Sequence, residues 1–577
     1  MLGTFLNKTV FHSIKRALEL LPPRLKVKSI SLAIGVIVNS FFDLIGIAAV
    51  LPLIAAVLKE GYIHSNKYLS EAYRFFDFSS DAYFILALSF AILTFILIKN
   101  LFALWIQKTQ ISYTWDAYHY LSKEILQSVY HKGFKYIKSN NSNNLQNNIV
   151  YIPQSFSQQL LLKIFSFLNE LFVMVLIIGG LLVYDFKIVL LLFVVIGPFF
   201  TVFYKYSKGR VQFINEKLTR LNALASQPIF EFIFGFSDVK IGGSFNFFKS
   251  KYLGYVKEKQ RLYVKNGVVQ QIPNRLVEIV VIMAVLIMLV YGVFVLNSPS
   301  EIVTMLSVFG LAAYRSVPSF NRLMLSAVNI KGQDYLFDVI NEFLPFDDKS
   351  QESAQVIAFQ DAIKVDHISF SYENETPILD EFSLTINKGD VLGIVGKSGS
   401  GKTTLMNLLL GFLSPTKGEI KIDNTTITSR NLASWQQNIG YVSQEVFIID
   451  ANVVKNIAFG IPEENIDIEK VQQVINKAQL KSVVDQLPQG MNTNIGERGT
   501  KLSGGQRQRI GIARALYHGA KILFFDEATS SLDAQTETEI TESIQSLHSE
   551  DLTMVIIAHR ESTLKYCNRI VTIGDTL

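Results

Sequence analysis

A glycine-rich stretch in the second half of the chain, GKSGSGKTT at residues 396–404, has the composition of a phosphate-binding loop. It follows the apolar run VLGIV and precedes the helical pattern LMNLLLG. Glycines let successive backbone N–H groups turn toward phosphate oxygens, and the N-terminus of the next helix faces the same anion. Lys402 is placed to bridge the β and γ phosphates, and Thr403 to bind Mg²⁺.

Two adjacent acids, Asp526 and Glu527, end the apolar run in KILFFDEATSSLD. Asp526 suits the coordination sphere of Mg²⁺, and Glu527 suits a general base that polarises the attacking water. Two acids after a strand are also typical of a solvated sheet edge. Their position after a phosphate-binding loop favours the catalytic interpretation.

The order of motifs in residues 361–577 is specific: the phosphate loop, YVSQ, KLSGGQRQR, the acidic pair, SSLD and AHR. It resembles the ATPase of the ATP-binding cassette family, which implies ATP and Mg²⁺ as ligands. In that family Tyr372 would stack on adenine, Gln444 would contact Mg²⁺ and water, and His559 would hold the γ-phosphate. The resemblance implies an ATP-binding loop made of Gly396, Lys397, Ser398, Gly399, Ser400, Gly401, Lys402, Thr403 and Thr404.

The LSGGQ sequence carries a further implication of this resemblance. Ser503, Gly504, Gly505 and Gln506 would complete the nucleotide site of another subunit, and Asp533 would link the two sites. Two cassettes then close head to tail around two ATP molecules, and this chain has one. We expect a homodimer, with pairing to a similar chain as the alternative. The segment with Glu497 and Arg498 resembles the loop that touches the membrane domain in exporters of the family.

The composition calls for a membrane region as well. The 577 residues are 49% hydrophobic and only 18% charged, which is typical of a membrane domain joined to a soluble one. The single cysteine, Cys567, excludes an internal disulfide framework and fits a reducing compartment. Apolar residues at helical spacing near the N-terminus predict an interfacial amphipathic helix: Phe11, Ile14, Leu18 and Leu21.

Six apolar windows are long enough to cross a bilayer, at residues 29–58, 83–106, 164–184, 188–204, 276–296 and 302–318. Residues 205–275 contain 13 Lys or Arg, so the long loops and both ends are expected to be cytoplasmic. The predicted fold is an α-helical membrane domain of six helices with long cytoplasmic extensions, followed by an α/β phosphate-loop ATPase domain. The predicted boundaries are 1–340, a linker at 341–360, and 361–577. The predicted location is the inner membrane of a bacterium.

The second and third windows, and the fourth and fifth, are separated by long amphipathic segments. If these segments are helical, they reach tens of Å into the cytoplasm. KYIKSNNSNNLQNN and EFIFGFSDVK lie near their midpoints and are candidate contacts with a cytoplasmic domain. Ordinary solvated loops are the alternative.

Several charges lie in or beside the windows: Asp43, Lys99, Glu170, Arg275, Glu278, Arg315 and Arg322. The cations gather toward the cytoplasmic side, so one interpretation is a cationic belt that holds an anionic head group. The alternative is the usual positive bias of cytoplasmic ends, with Arg275 paired to Glu278. Arg315 lies deeper and is the strongest substrate candidate, whereas Arg322 is also consistent with a boundary cation.

Four stretches, NKYLSEAYRFFDF, FILIKNLFALW, PNRLVE and AAYRSVPSFNR, are similar to segments of bacterial lipid-linked oligosaccharide flippases of the PglK type. That resemblance implies a short external helix and a pyrophosphate contacted by Lys99, Arg275, Arg315 and Arg322, with Lys99 in place of an arginine. The expected function is ATP-driven flipping of a polyprenyl-diphosphate-linked oligosaccharide. Export of drugs, lipid A-like lipids or peptides is the alternative, and an ATP-gated channel or sensor is another. The membrane spans exclude a soluble ATPase acting on nucleic acid.

Overall fold

The structure, a computed structural model, describes residues 10–58, 61–184, 186–291, 299–344, 356–372, 377–527, 538, 542–547, 552–558 and 564–574. Within these ranges it describes all side chains except those of residues 47–48, 51, 58, 181, 183–184, 187–197, 199–200, 208, 280, 284, 288, 291 and 299–315. The chain divides into two compact units, Met1–Phe346 and Asp347–Leu577.

The described part of the first unit is built from helices. They are α1 His12–Glu19, α2 Pro23–Ala48, α3 Val50–Leu58, α4 Tyr62–Ser65, α5 Lys67–Phe75, α6 Asp81–His131, α7 Gly133–Ser139, α8 Ser142–Gln146, α9 Ile152–Gln154, α10 Leu162–Tyr184, α11 Phe186–Phe234, α12 Phe236–Ile241, α13 Phe245–Tyr291, α14 Pro299–Gly332 and α15 Tyr335–Asn341. Two π-helical turns, Asn147–Tyr151 and Ser155–Leu161, flank α9. Helix α5 lies in the stretch NKYLSEAYRFFDF, for which the second resemblance implies a short helix.

Three helices are far longer than a bilayer is thick. Helix α6 begins after Ser80, whose hydroxyl accepts a hydrogen bond from the Tyr83 N–H, and has 51 residues. At 1.5 Å per residue it is about 77 Å long, against a hydrocarbon core of about 30 Å. Helices α11 and α13 have 49 and 47 residues. The predicted helical extension of the spans is confirmed for these three helices.

Four helical segments within the described residues are long and apolar enough to cross a membrane: Pro23–Gly46, Asp81–His131, Ser142–Gly180 and Phe245–Ile287. The predicted windows at 188–204 and 302–318 fall in α11 and α14, where many side chains lie outside the described residues. The number of six spans therefore stays a prediction.

The first and last helices of this unit are fastened together. The Ser13 hydroxyl donates to the Asp334 carboxylate at 2.8 Å, and the Arg16 guanidinium donates to Asp338 at 2.9 Å. The Arg16 guanidinium also lies 4.5 Å from the ring centroid of Phe337. One face of the amphipathic helix α1 is thus occupied by protein.

The second unit contains two sheets. Its strands are β1 Ala362–Phe370, β2 Leu379–Asn387, β3 Val391–Val395, β4 Lys417–Ile422, β5 Thr425–Thr426, β6 Ile439–Val442, β7 Ile522–Asp526, β8 Thr553–Ile557 and β9 Arg569–Thr572. Its helices are α16 Lys402–Leu409, α17 Leu432–Gln436, α18 Val453–Ile457, α19 Ile468–Lys477, α20 Lys481–Gln486 and α21 Gly504–Tyr517. The antiparallel sheet has the order β2-β1-β4-β5, and the parallel sheet has the order β6-β7-β8-β3-β9.

The central strands of the parallel sheet are buried along almost their whole length, as their continuous apolar sequences predict. The predicted mainly parallel α/β core is confirmed. The antiparallel sheet is an addition that the sequence analysis did not anticipate. Its strand β1 alternates imperfectly and is bulged between Val365 and Ile368, which hides the two-residue period.

Candidate functional site

The functional loops of the second unit gather at one edge of the parallel sheet. Ile557 at the end of β8 pairs with Ile394 of β3 on one side and with Asp526 of β7 on the other. Two strand spacings of about 4.8 Å separate the ends of β3 and β7, or about 10 Å. Strand β6 pairs with β7 at Val442 and Phe525, so the loop with Gln444 leaves the sheet beside the acidic pair. This carboxyl edge is where open α/β sheets bind ligands.

The phosphate loop joins β3 to α16 and depends on left-handed glycines. Gly399 and Gly401 have φ of 83° and 98°. A Cβ atom on Gly401 would lie 3.0 Å from Ile378 Cγ2, so a side chain there would also be crowded. The Lys402 ammonium donates to the carbonyl oxygens of Gly396 and Lys397 at 2.8 and 2.9 Å.

Two observations fit this loop to a phosphate ligand. The Ser400 hydroxyl is buried without a hydrogen-bond partner in the described part of the chain. Such a hydroxyl can donate to a phosphate oxygen when a nucleotide is bound. Thr403, the predicted Mg²⁺ ligand, is exposed in the first turn of α16. The loop and helix N-terminus therefore suit ATP with Mg²⁺.

The acidic pair contacts strand β6 and the loop that follows this strand. The Tyr441 hydroxyl donates to Asp526 at 3.4 Å, and the Gln444 amide donates to the Glu527 carboxylate at 3.5 Å. Burial raises the pKa of Asp526, and the nearby charge of Glu527 raises it further, whereas the Tyr441 hydroxyl and Lys402 lower it. A cation bound at Asp526 would favour the carboxylate and so lower this pKa.

Glu527 has an unusual backbone. Its φ of 50° lies in the left-handed region, and its N–H donates to the Ile557 carbonyl at 3.2 Å. A non-glycine residue in this region costs about 1–3 kcal/mol, and such strain is typical of functional positions. The hydrogen bond to β8 fixes this turn, and the turn sets the direction of the carboxylate.

The other predicted residues of the site are placed as follows. Tyr372 follows β1, half-buried, with its ring centroid 5.0 Å from that of Phe370 in an edge contact. Ser503 caps helix α21 in a capping box with Gln506, and Gly504 and Gly505 form its first turn. His559 and Asp533 lie outside the described residues. The contact proposed for Glu497 and Arg498 with a membrane domain stays a prediction.

In the first unit, each described cation of the proposed belt has a carboxylate partner. Lys99 pairs with Asp43 at 2.7 Å, and both side chains are mostly buried. Arg275 pairs with Glu278 at 3.4 Å, but its side chain is 81% exposed. Arg322 pairs with Glu170 at 2.5 Å. The side chain of Arg315 lies outside the described residues.

Comparison with known proteins assigns the family. A family model described as ABC transporter matches residues 379–530. The ATP-dependent lipid A-core flippase of Coxiella burnetii is 30% identical over 415 residues, which are 69% of this chain and 68% of that protein. The chain belongs to the ATP-binding cassette transporters. A match of that extent includes the membrane region as well as the ATPase domain.

Other similarities of this transporter are narrower. The ATP-dependent lipid A-core flippase of Ralstonia nicotianae is 41% identical over 213 residues, 37% of this chain and 36% of that protein. The chain thus matches about a third of the length of such relatives. The structure of a bacterial Atm1-family ABC exporter with ATP bound has a TM-score of 0.75 at 21% identity, covering 96% of this chain and 93% of that one. It shows that the transporter has the exporter fold.

Sequence reasoning missed Gln508 as a functional residue of the transporter. Its buried amide donates to the carbonyl oxygens of Ser443 and Gln444 at 3.1 and 2.7 Å, which ties α21 to the loop after β6. The signal in the sequence is the position of Gln508, two residues after the last residue of the LSGGQ motif. The pairs Lys99–Asp43 and Arg322–Glu170 were also missed, since each joins helices far apart in sequence.

Proposed function

We propose that the transporter hydrolyses ATP and works as a homodimer in the inner membrane of a bacterium. The support is the gathering of Lys402, Gln444 and the Asp526–Glu527 pair at one sheet edge. Glu527 accepts the proton of the attacking water, Gln444 orients that carboxylate, and Lys402 holds phosphate oxygens. Thr403, Gln444 and Asp526 would hold Mg²⁺, which would supply positive charge to neutralise the phosphates.

The proposed transport substrate is an amphipathic anionic lipid, a polyprenyl-diphosphate-linked oligosaccharide, moved from the inner to the outer leaflet. The observation that carries this proposal is the half-exposed side chain of Arg322 on a helix that also carries Arg315. A planar guanidinium matches the oxygens of a diphosphate, whereas an ammonium such as that of Lys99 acts as a point charge. The resemblance to PglK-type flippases points to the same head group.

The test is translocation in proteoliposomes. Purified transporter is expected to move a fluorescent polyprenyl-diphosphate-linked disaccharide to the opposite leaflet when ATP is added. Arg315→Ala is expected to remove this translocation. Arg210→Ala is the matched control, because Arg210 is an exposed cation that stacks on its own neighbour Tyr206 at 3.7 Å. Lipid translocation by Arg315→Ala at the native rate would contradict the role of Arg315 in substrate binding.

A second candidate is the export of lipid A-like lipids, which the names of the Coxiella and Ralstonia relatives suggest. Such lipids also carry phosphate groups, so Arg315 and Arg322 could bind them in the same way. ATPase stimulation separates the candidates: a polyprenyl diphosphate, a lipid A and a cationic drug are each added to proteoliposomes. If lipid A alone stimulates the ATPase, the substrate is a lipid A-like lipid and the proposed polyprenyl diphosphate is wrong.

A further inference from the structure

A polar network crosses three helices of the membrane unit. The Ser40 hydroxyl on α2 donates to the Asn169 side-chain oxygen on α10 at 2.9 Å. The Asn169 amide donates to Glu170 Oε1 at 3.2 Å. Arg322 on α14 donates to Glu170 through Nε at 2.5 Å and through Nη2 at 3.3 Å. The carboxylate of Glu170 is thus the centre of the network.

The two charged members of the network differ sharply in exposure. The Glu170 side chain is 5% exposed, and the Arg322 side chain is 46% exposed. A buried carboxylate without a partner is costly, so Glu170 depends on Arg322 and Asn169 for its charge to be tolerated. The side chain of Arg322, in contrast, is nearly half exposed although it pairs with Glu170.

The geometry of the ion pair leaves part of the guanidinium available. A guanidinium has five N–H groups in one plane, and Glu170 uses one on Nε and one on Nη2. These lie on one side of the plane. The opposite edge, with Nη1 and the second hydrogen of Nη2, forms a fork of the kind that binds two oxygens of a phosphate.

We propose that Glu170 is a positioning residue: it holds the guanidinium of Arg322 side-on, so that the remaining edge binds the phosphate group of the transported lipid. This inference rests on the proposed function. Arg322 is therefore a binding residue rather than a boundary cation. Asn169 and Ser40 stabilise the carboxylate and do not touch the substrate.

Three further polar atoms on the same helices are buried without a partner within the described residues. The oxygens Asn39 Oδ1, Ser319 Oγ and Asn321 Oδ1 are buried and have no hydrogen-bond partner within the described residues. Asn39 is adjacent to Ser40, and the other two lie within three residues of Arg322. Buried polar atoms of this kind are normally completed by water or a polar ligand.

The pair Lys99–Asp43 shows what a closed ion pair looks like in the same unit. Both of its side chains are mostly buried, at 16% and 20% exposure. The Lys99 ammonium donates to Asp43 at 2.7 Å, and an ammonium has no planar edge that could bind two phosphate oxygens. Arg322, which is more exposed and planar, is the better phosphate ligand of the two cations.

The test measures ATPase stimulation in proteoliposomes against the concentration of a short-chain polyprenyl-diphosphate-linked disaccharide. Glu170→Gln keeps the size of the side chain but removes the charge that fixes the guanidinium. We expect the KM for the lipid to rise roughly tenfold, as for other residues that orient a ligand-binding group, while the maximal stimulated rate is largely retained. Asp116→Asn is the control, because it removes the carboxylate of another interhelical pair, Lys28–Asp116 at 2.6 Å, and its KM should match that of the native chain.

A charge-swapped variant, Glu170→Arg with Arg322→Glu, distinguishes positioning from simple helix fastening. It keeps an ion pair between α10 and α14 but places a carboxylate where the lipid phosphate binds. We expect it to lose lipid stimulation at every concentration; a native KM in this variant or in Glu170→Gln would overturn the inference. If the native chain itself is not stimulated by the lipid, the proposed substrate class fails, and this role of Glu170 fails with it.

Discussion

Gln508 and Gln444 are joined by a hydrogen bond of 2.7 Å from a buried side-chain amide to a backbone carbonyl oxygen. Gln508 lies on the helix that begins with the LSGGQ motif, and Gln444 lies on the loop beside Glu527. The second bond, to the Ser443 carbonyl, makes the connection bidentate. The helix that is proposed to face a second cassette is thus tied to the loop that contacts the proposed general base of its own cassette.

Gln508→Leu is expected to weaken this connection. The two carbonyl oxygens lose their donor, and each lost hydrogen bond costs about 0.5–1.5 kcal/mol in the free energy of unfolding of the cassette. Because the loop after β6 is no longer held, the ATPase rate is expected to fall as well. Thermal unfolding and ATPase rates measure both effects. Gln473→Ala, at an exposed position of α19, is the control and should change neither.

Glu527→Gln is expected to abolish ATP hydrolysis while ATP binding persists. An amide cannot accept the proton of the attacking water, and loss of a general base lowers rates by about 10²–10⁴-fold. The variant should therefore retain bound ATP, measurable by filter binding with a labelled nucleotide. Transport by Glu527→Gln at the native rate would contradict the assignment of the base.

Asp526→Asn is expected to raise the thermal stability of the nucleotide-free protein at neutral pH. Burial, with the nearby Glu527, raises the pKa of Asp526 in the folded state. A carboxyl whose pKa is raised by folding stabilises the fold fully below its unfolded pKa of about 3.9. This stabilisation is lost as the pH rises through the pKa of the folded state. Above that pH the buried charge destabilises the fold, and Asn removes it.

The size of this effect is read from the melting temperature between pH 4 and pH 8. A gain of 1 kcal/mol corresponds to about 2–4 °C for a domain of this size. The same substitution should remove Mg²⁺-dependent ATPase activity, so stability and function change in opposite directions. If Asp526→Asn melts at a lower temperature than the native protein at pH 8, the ionised carboxylate of Asp526 stabilises the fold and the expectation is wrong.

Cys567 is expected to react slowly with thiol reagents while the cassette is folded. Burial raises the pKa of its thiol to about 11, so that roughly one molecule in a thousand carries the thiolate at pH 8. It is also the single cysteine of the chain, which makes labelling unambiguous. Mass spectrometry should show labelling that accelerates in parallel with unfolding by denaturant. Rapid labelling of the native protein would contradict the burial of Cys567 against β3.

The nucleotide site was predictable because its parts are local. Residues 396–404 form a loop whose glycines and Lys402 lie within nine positions, and Asp526 and Glu527 follow one continuous buried strand. The sequence shows such patterns directly, since a strand, a tight turn and a helix each have a short-range signature. The edge of the sheet then brings the separate loops together without further information.

The membrane unit was less predictable because its decisive contacts are not local. Glu170 and Arg322 are 152 positions apart, and no period in the sequence pairs them. Apolar windows indicate helices but not which helices are neighbours, since lipid and protein both accept an apolar face. The sequence places Arg322 in the cationic belt through its position and the resemblance, whereas its partner Glu170 is visible only in the packed helices.

The fastening of helix α1 to the end of the membrane unit has a consequence for the order of synthesis. Ser13 and its partner Asp334 are separated by 321 positions. A ribosome that adds about 5–20 residues per second makes Asp334 roughly 16–64 s after Ser13. During that interval the side chains of Ser13 and Arg16 lack their partners Asp334 and Asp338. These hydrogen bonds are therefore among the last contacts of the membrane unit that a newly made chain can form, and a chain that ends before Asp334 leaves Ser13 and Arg16 without these partners.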